Sequence, residues 1–322
     1  MIYTSPEDIV LDDIFFQLLF PEYPHRVCIK LEGFSMTNSI KLKPARSMID
    51  RFEREGKLAP GGTLIESSSG NLGVALSMIC AARGYRFICV TDPNISRQNA
   101  GIIAAHGAEL VIVRERDQNG GFLGTRISYI QQMLREDTSL VWVNQYENLY
   151  NPRAHYDQTA RQIAKAFPHI DYLFIGAGTT GTLGGVSRYF QQHRPETYII
   201  AVEPVGSVTF GTPAGRRVIP GLGTSSPPFI SRSVSFDQLV RITERETVRM
   251  CHQLARRGLL LGGSSGTVLC AVHQMLPEIP PDAVIVAISP DMGDRYIDSI
   301  YCKSWVNEHF GEGVFDEHYA GV

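Results

Sequence analysis

One lysine and three stretches rich in hydroxyl side chains and glycine are the parts of this 322-residue chain whose types and spacing could do chemistry. Lys41 lies in Asn38-Ser39-Ile40-Lys41-Leu42-Lys43-Pro44, a short turn past a β-branched run and just before a helix that Pro44 can open. A lone lysine there also reads as a solvated surface charge, but its amine is the group that forms a Schiff base with a carbonyl. Glu66-Ser67-Ser68-Ser69-Gly70-Asn71-Leu72-Gly73 runs from a strand end into a helix. Its serines and Asn71 can cap free helix N–H groups; three serines followed by Gly-Asn exceed what capping requires, and a helix start suits a carboxylate or phosphate.

The stretch Ile175-Gly176-Ala177-Gly178-Thr179-Thr180-Gly181-Thr182-Leu183-Gly184 also passes from strand to helix. Gly176, Gly178 and Gly181 have the G-x-G-x-x-G spacing, and Glu203 ends the next strand ~20 residues later, as a dinucleotide fingerprint requires. Three threonines among the glycines suit instead the enclosure of a single phosphate by hydroxyls and backbone N–H groups. Both readings stand on this stretch alone. Leu261-Gly262-Gly263-Ser264-Ser265-Gly266-Thr267 is the third such turn, and capping explains it equally well in isolation. Together, a lysine amine, a phosphate cradle and hydroxyl-amide loops are the parts of a pyridoxal-phosphate site.

The elements that must position these residues follow from periodicity. Short β-branched runs at 27–31, 63–66, 87–90, 110–113, 140–143, 172–175, 198–202 and 284–288 alternate with amphipathic segments at 72–83, 96–106, 124–135, 152–166, 183–192 and 244–257. That alternation predicts βα units and parallel sheets, with ligands beyond the carboxyl ends of the strands. The turn-rich stretch 219–228 reads as a long loop.

Composition narrows the function classes. A hydrophobic fraction of 43% with 20% charged residues is that of a globular chain able to bury a large core, and its length suits about two compact units. A net charge of −3, without blocks of like charge, gives no electrostatic footprint for nucleic acid or an anionic membrane. No apolar run approaches the ~20 residues of a membrane helix, and Glu7, Asp8, Asp12 and Asp13 do not suit a secretory leader. The six scattered cysteines contain no C-x-x-C pair, and the nine histidines show no metal-ligand spacing. Free thiols in a reducing cytoplasm and no metal site are the expectation.

The motifs Ser39-Ile40-Lys41, Ser68-Ser69-Gly70-Asn71, Gln145-Tyr146, Gly178-Thr179-Thr180-Gly181-Thr182, Gly263-Ser264-Ser265-Gly266 and Ser289-Pro290-Asp291 resemble, in content and order, those of a known family. It is the fold-type II pyridoxal-phosphate enzymes of the cysteine synthase and cystathionine β-synthase group. The resemblance implies an α/β chain of two open, twisted, mostly parallel sheets, like the tryptophan synthase β chain. Residues 1–41 with 149–322 would form the larger, phosphate-holding domain, and 42–148 a smaller mobile domain that closes on substrate. It implies Lys41 as the Schiff-base lysine, Asn71 on the cofactor's 3′-oxygen, and Gly178, Thr179, Thr180, Gly181 and Thr182 around its phosphate. Ser264 would face the pyridine nitrogen, and Ser68, Ser69 and Gln145 the substrate α-carboxylate. A homodimer is implied likewise. Leu42-Lys43 stands where the family commonly has Asp-Arg, and Leu72 where it usually has Thr; both set the chain apart from plain cysteine synthases. Lys43 is a rival to Lys41, though the Ser-Ile-Lys register favours Lys41.

Residues 120–126, 143–148 and 291–298 carry a narrower resemblance, to N-(2-amino-2-carboxyethyl)-L-glutamate synthases. These join O-phospho-L-serine to L-glutamate on the way to 2,3-diaminopropionate for siderophores of the staphyloferrin B kind. A phosphorylated donor and a dicarboxylate acceptor call for cationic and hydrogen-bonding side chains, and Arg126 and Tyr146 are the candidates. A solvated helix arginine and a core-capping tyrosine are their plain alternatives. Arg216 and Arg217 read as lid or surface charges, and His155 and His252 as ordinary helix residues. Asp291 and Asp294 resemble family residues near the pyridine end, with helix capping before Arg295 as an equal explanation. The rival functions are a cysteine synthase using sulfide with O-phosphoserine or O-acetylserine and, from another class, an NAD-binding oxidoreductase.

Overall fold

The computed structural model of the chain describes residues 2–118 and 120–314. Its first half contains β1 (Phe15–Leu19), β2 (Arg26–Leu31), α1 (Leu42–Arg54), β3 (Thr63–Ser67), α2 (Asn71–Arg83), β4 (Arg86–Thr91), α3 (Arg97–Ala105), β5 (Glu109–Ile112), α4 (Leu123–Glu136) and β6 (Leu140–Trp142). The second contains α5 (Tyr150–Ala154), a π-helical turn (His155–Ala160), α6 (Arg161–Ala166), β7 (Tyr172–Gly176), α7 (Gly181–His193), β8 (Tyr198–Pro204), β9 (Gln238–Ile242), α8 (Glu244–Arg256), α9 (Gly263–Met275), β10 (Ile285–Ser289) and α10 (Lys303–Phe310).

The strands form two sheets, one ordered β1-β2-β10-β7-β8-β9 and the other β5-β4-β3-β6. Only β1 pairs antiparallel, so this is the α/β, mostly parallel two-sheet architecture implied by the sequence. The four-stranded sheet comes wholly from residues 63–142, and the six-stranded one from 15–31 and 172–289. β3 and β10 are buried at every residue, as strands covered on both faces must be; β10 is apolar up to its closing Ser289, whereas β3 buries Thr63, Glu66 and Ser67 beside Leu64 and Ile65. Register decides where the loops emerge. Ser289 pairs with Leu31 and Ala287 with Phe174, so β2, β10 and β7 end side by side and discharge their loops into one cleft.

Each sheet has its own core. Leu42, Met48, Leu64 and Ile79 pack within the four-stranded unit, whereas Phe174, Val268 and Leu269 lie on one face of the larger sheet and Ile175, Leu183 and Phe190 on the other. α9 is buried along nearly its whole length, and its glycines allow this: a Cβ on Gly266 would stand 2.4 Å from Cys251 Sγ. Local signals end the helices where the sequence suggests. A capping box between Thr243 and Glu246 opens α8, and Gly84, at φ 74°, closes α2.

All eight strands expected from sequence are present, joined by the edge strands β1 and β9, which the periodicity did not pick out. The expected helix 152–166 is instead divided by the π turn. The π turn lies where the packing is closest: a Cβ on Gly185 would lie 2.1 Å from Pro152 O and 2.8 Å from Tyr156 N, so α7 presses directly on this backbone.

Candidate active site

Beyond β2 the chain turns through Asn38, held in the left-handed region at φ 48°, and is stitched to the segment after β10. Ile40 N–H donates to Pro290 O at 2.7 Å, and Met292 N–H to Asn38 O at 3.2 Å. These bonds fix Lys41 as the cap residue of α1. Lys41 is partly exposed yet crowded by protein, and desolvation lowers its pKa to about 8 against the opposing pull of Asp291. Lys43 is held quite differently. Its Nζ lies 2.6 Å from Asp12 and 2.7 Å from Glu32 at 3% exposure. Burial alone would lower its pKa, but the two carboxylates outweigh burial and hold it above the ordinary lysine value. Of the two, only Lys41 has an amine that burial makes easier to deprotonate.

Asn71, at the start of α2, donates from Nδ2 to Asp291 Oδ2 at 2.8 Å and accepts from Arg295 at Oδ1. Asp291 also accepts from the Tyr296 hydroxyl, and its burial pushes the carboxyl pKa up despite these bonds. The capping explanation for Asp291 is therefore corrected: its side chain receives Asn71 and Tyr296 and does not cap the turn before Arg295. Ser68 does cap, with Oγ accepting from Gly73 N–H at 2.9 Å and Gly70 N–H at 3.3 Å. Ser69 is partly exposed, and Asn99 donates to its carbonyl at 3.4 Å. Ser264 lies in the first turn of α9, where a Cβ on Gly221 would stand 2.2 Å from its Oγ. The 219–228 loop thus rests on Ser264. Arg217 braces that loop through Leu222 O at 3.1 Å, and Arg216 is exposed.

The loop after β7 is built for an anion. Thr180 holds φ 68°, unusual for a β-branched residue, at the start of α7, where the N-terminal dipole is positive. Among the described residues the N–H groups of Gly178, Thr179 and Thr180 donate to no protein group, and the buried Thr180 Oγ1 has no partner. Such orphaned donors around a helix start match a phosphate ester. Thr182 Oγ1 lies 3.3 Å from His155 Nε2, and Thr159 Oγ1 3.1 Å from His155 Nδ1. His155 is fully buried, and burial, with the charges of Lys41 and Lys43, pushes its pKa well below the usual histidine range. The ordinary-helix reading of His155 is corrected accordingly: it is a neutral residue beneath this loop, in the π turn.

The dinucleotide reading of the same loop fails on its own residues. A Cβ on Gly176 would meet Leu222 at 2.8 Å, on Gly178 the Gly221 carbonyl at 2.6 Å, and on Gly181 the Asn151 side chain at 2.0 Å. All three glycines are required by protein contacts. Glu203 is fully buried against Arg241 at 3.0 Å, so it is not offered to a ribose.

Across the cleft, Gln145 is 6% exposed and donates from Nε2 to Ser67 O at 3.2 Å. Arg126 is 8% exposed, which overturns its surface reading; one guanidinium nitrogen is 3.3 Å from Asp92, and Nε is buried without a partner among the described residues. Burial raises the Tyr146 pKa to about 12, against the pull of Arg126, so the phenol stays protonated. Glu66 lies under this cluster, fully buried, with Oε1 accepting from Ser67 N–H at 2.9 Å. Desolvation raises its pKa to about 8, opposed by backbone N–H groups and Arg126. Sequence reasoning assigned no role to Glu66, Asp92 or Asn151. The sole signal for Glu66 was a lone acid ending an apolar strand. All six cysteines are free, and among the described residues no group of three or more His, Cys, Asp or Glu could hold a metal ion.

A lysine whose pKa is lowered by burial and a loop of unpaired donors at a helix start are parts that suit one class of protein, and comparison with known proteins gives that class. The chain belongs to the family described as pyridoxal-phosphate dependent enzyme, which matches residues 15–291, and its cofactor is pyridoxal phosphate. The N-(2-amino-2-carboxyethyl)-L-glutamate synthase of Ralstonia nicotianae is 39% identical over 282 residues, 87% of this chain and 83% of that one. The protein of the same name from Cupriavidus metallidurans is 38% identical over 293 residues, 89% and 86% of the two chains. Among solved structures, O-ureido-L-serine synthase superposes with a TM-score of 0.87 at 30% identity, over 97% of this chain and 98% of that one.

Proposed function

We propose that the protein joins O-phospho-L-serine to L-glutamate by β-replacement, giving N-(2-amino-2-carboxyethyl)-L-glutamate and phosphate. One observation carries the site: Lys43 is locked between two carboxylates at 2.6 and 2.7 Å, whereas Lys41, two residues before it, is partly exposed, and burial lowers its pKa to about 8. The acceptor follows the name shared by the two bacterial relatives. When bound, pyridoxal phosphate draws electrons from the substrate's Cα, so that the Cα proton and the β-substituent leave readily. In this reading Lys41 Nζ would hold the cofactor, and its neutral amine, once free, would take the Cα proton and later return it. The Cβ–O bond breaks with departure of phosphate, and the glutamate nitrogen forms the new bond to Cβ while its surplus proton passes to the released phosphate.

The other residues bind and orient. The free N–H groups of 178–180, with the Thr179, Thr180 and Thr182 hydroxyls and the glycine backbone at 178 and 181, would hold the cofactor phosphate. Asn71, clamped by Asp291 and Arg295, has an amide hydrogen left for the ring oxygen, and Ser264 would face the ring nitrogen. Ser69, Gln145 and the Ser68 loop take the donor carboxylate, and Arg126 and Tyr146 the donor phosphate or an acceptor carboxylate. The buried Arg126 Nε and the protonated phenol support that assignment.

In the same reading, residues 1–41 with 149–322 are the larger domain and 42–148 the smaller one that closes on substrate, in line with the two separate sheets and cores. The working form would be a homodimer in the cytoplasm, where free thiols persist, supplying 2,3-diaminopropionate for a siderophore. The test is to supply O-phospho-L-serine with either glutamate or sulfide, measuring phosphate release and the new amino acid by mass spectrometry. Product from glutamate alone, equal to the phosphate released, is expected; cysteine from sulfide alone would return the chain to the cysteine synthases.

A further inference from the structure

Asn151 touches both loops that the proposed function keeps apart. It lies in α5, where the chain returns from the four-stranded sheet to the six-stranded one, and it is 1% exposed. Nδ2 donates to Gln145 O at 2.9 Å and to Thr179 Oγ1 at 3.3 Å. Chemistry fixes the orientation of this amide. Gln145 O can only accept, so the atom facing it must be the nitrogen. Because that nitrogen can only donate, Thr179 Oγ1 accepts from it, and the Thr179 hydroxyl proton has to point away from Asn151. Thr179 makes no other hydrogen bond among the described residues, and its own N–H is free. The Asn151 oxygen is packed onto Gly181, where a Cβ would stand 2.0 Å away, and has no hydrogen-bond partner among the described residues.

We propose that Asn151 is a positioning residue: it aims the Thr179 hydroxyl proton into the 178–182 loop at a phosphate ester and ties that loop to Gln145 on the substrate side. The proposal rests on reading this loop as the phosphate holder. A purely structural asparagine would affect every ligand of the cleft alike, whereas an orienting one affects only ligands that carry the phosphate.

The test titrates the full chain, freed of cofactor, with pyridoxal phosphate and with pyridoxal, which keeps the aldehyde for Lys41 but lacks the phosphate. Asn151→Ala should weaken pyridoxal phosphate by ~10-fold or more and leave pyridoxal within ~2-fold. Thr179→Ala should weaken pyridoxal phosphate similarly, and the double variant should be no weaker than Thr179→Ala alone, since one residue acts through the other. Asn151→Asp serves if the alanine variant does not fold: its new carboxyl donates only while protonated, so its phosphate-specific affinity should fall, relative to the parent chain, as pH rises. Equal losses for the two ligands, additive losses in the double variant, or a weakened Thr179→Ala beside an unaffected Asn151→Ala would overturn the positioning role. An unaffected Thr179→Ala would overturn the reading of the loop itself, and the positioning role with it.

Discussion

At the scale of single residues, the cleft is decided by how two lysines two positions apart are solvated. Lys41 gives up solvation with only the distant help of Asp291, whereas Lys43 exchanges water for Asp12 and Glu32 at contact distance. Capture of an aldehyde needs a neutral amine, so cofactor attachment to the stripped chain should quicken as pH rises and level off above about 8, the value to which burial lowers Lys41. Lys41→Ala should keep the fold but lose borohydride-stable labelling by the cofactor. Lys43→Met should keep that labelling and lose ~3 kcal/mol of stability in urea, because the buried Glu32 and the half-buried Asp12 both lose its charge and only Lys30, 3.5 Å from Glu32, remains to offset them. A peptide map placing the label on Lys43 would reverse the assignment. The motif around Lys41 made it legible in the sequence. The task of Lys43 was not, because Asp12 and Glu32 come from separate segments that only the fold assembles. Asn151 and His155 were hidden for the same reason: each acts on a threonine of a distant loop through one side-chain contact.

At the scale of elements, the central strands were the easiest part to read: burial on both faces makes β10 nearly all apolar, and in β3 Leu64 and Ile65 carry the signal although Thr63, Glu66 and Ser67 are buried as well. The missed strands, Phe15–Leu19 and Gln238–Ile242, are both sheet edges, paired on one side only, and their polar residues break the pattern. The π turn had no periodic signature either; it coincides with the contact of Gly185 with Pro152 and Tyr156 across two helices. Gly185→Ala tests whether the turn depends on that contact. With Pro152 O 2.1 Å from the new Cβ, α7 must withdraw from the π turn, carrying Thr182 away from His155. The expected cost is ~1–3 kcal/mol in chemical denaturation, together with weaker cofactor binding. Unchanged stability and affinity would show that the π turn has another origin.

At the scale of the whole molecule, the residues assigned to the cofactor come from both units. Lys41, the 178–182 loop and Ser264 leave the six-stranded side, and Asn71 opens a helix of the four-stranded side. One tie between the two units here is the short network of Asn71, Asp291, Tyr296 and Arg295, in which Asp291 is pushed toward protonation by burial. A ligand that grips both sides of such a cleft binds the native arrangement and not the unfolded chain, so the melting temperature should climb with free cofactor concentration. At 100 times the dissociation constant the gain is ~2.7 kcal/mol, a shift of several degrees. Calorimetry over a series of cofactor concentrations measures it, with Asn71→Ala as the comparison. That variant should fold and still gain from the cofactor, but by less at equal concentration, because the four-stranded side has lost its grip. An identical gain in both chains would mean that the cofactor is held from the six-stranded side alone and that closure of the smaller unit depends on the substrate.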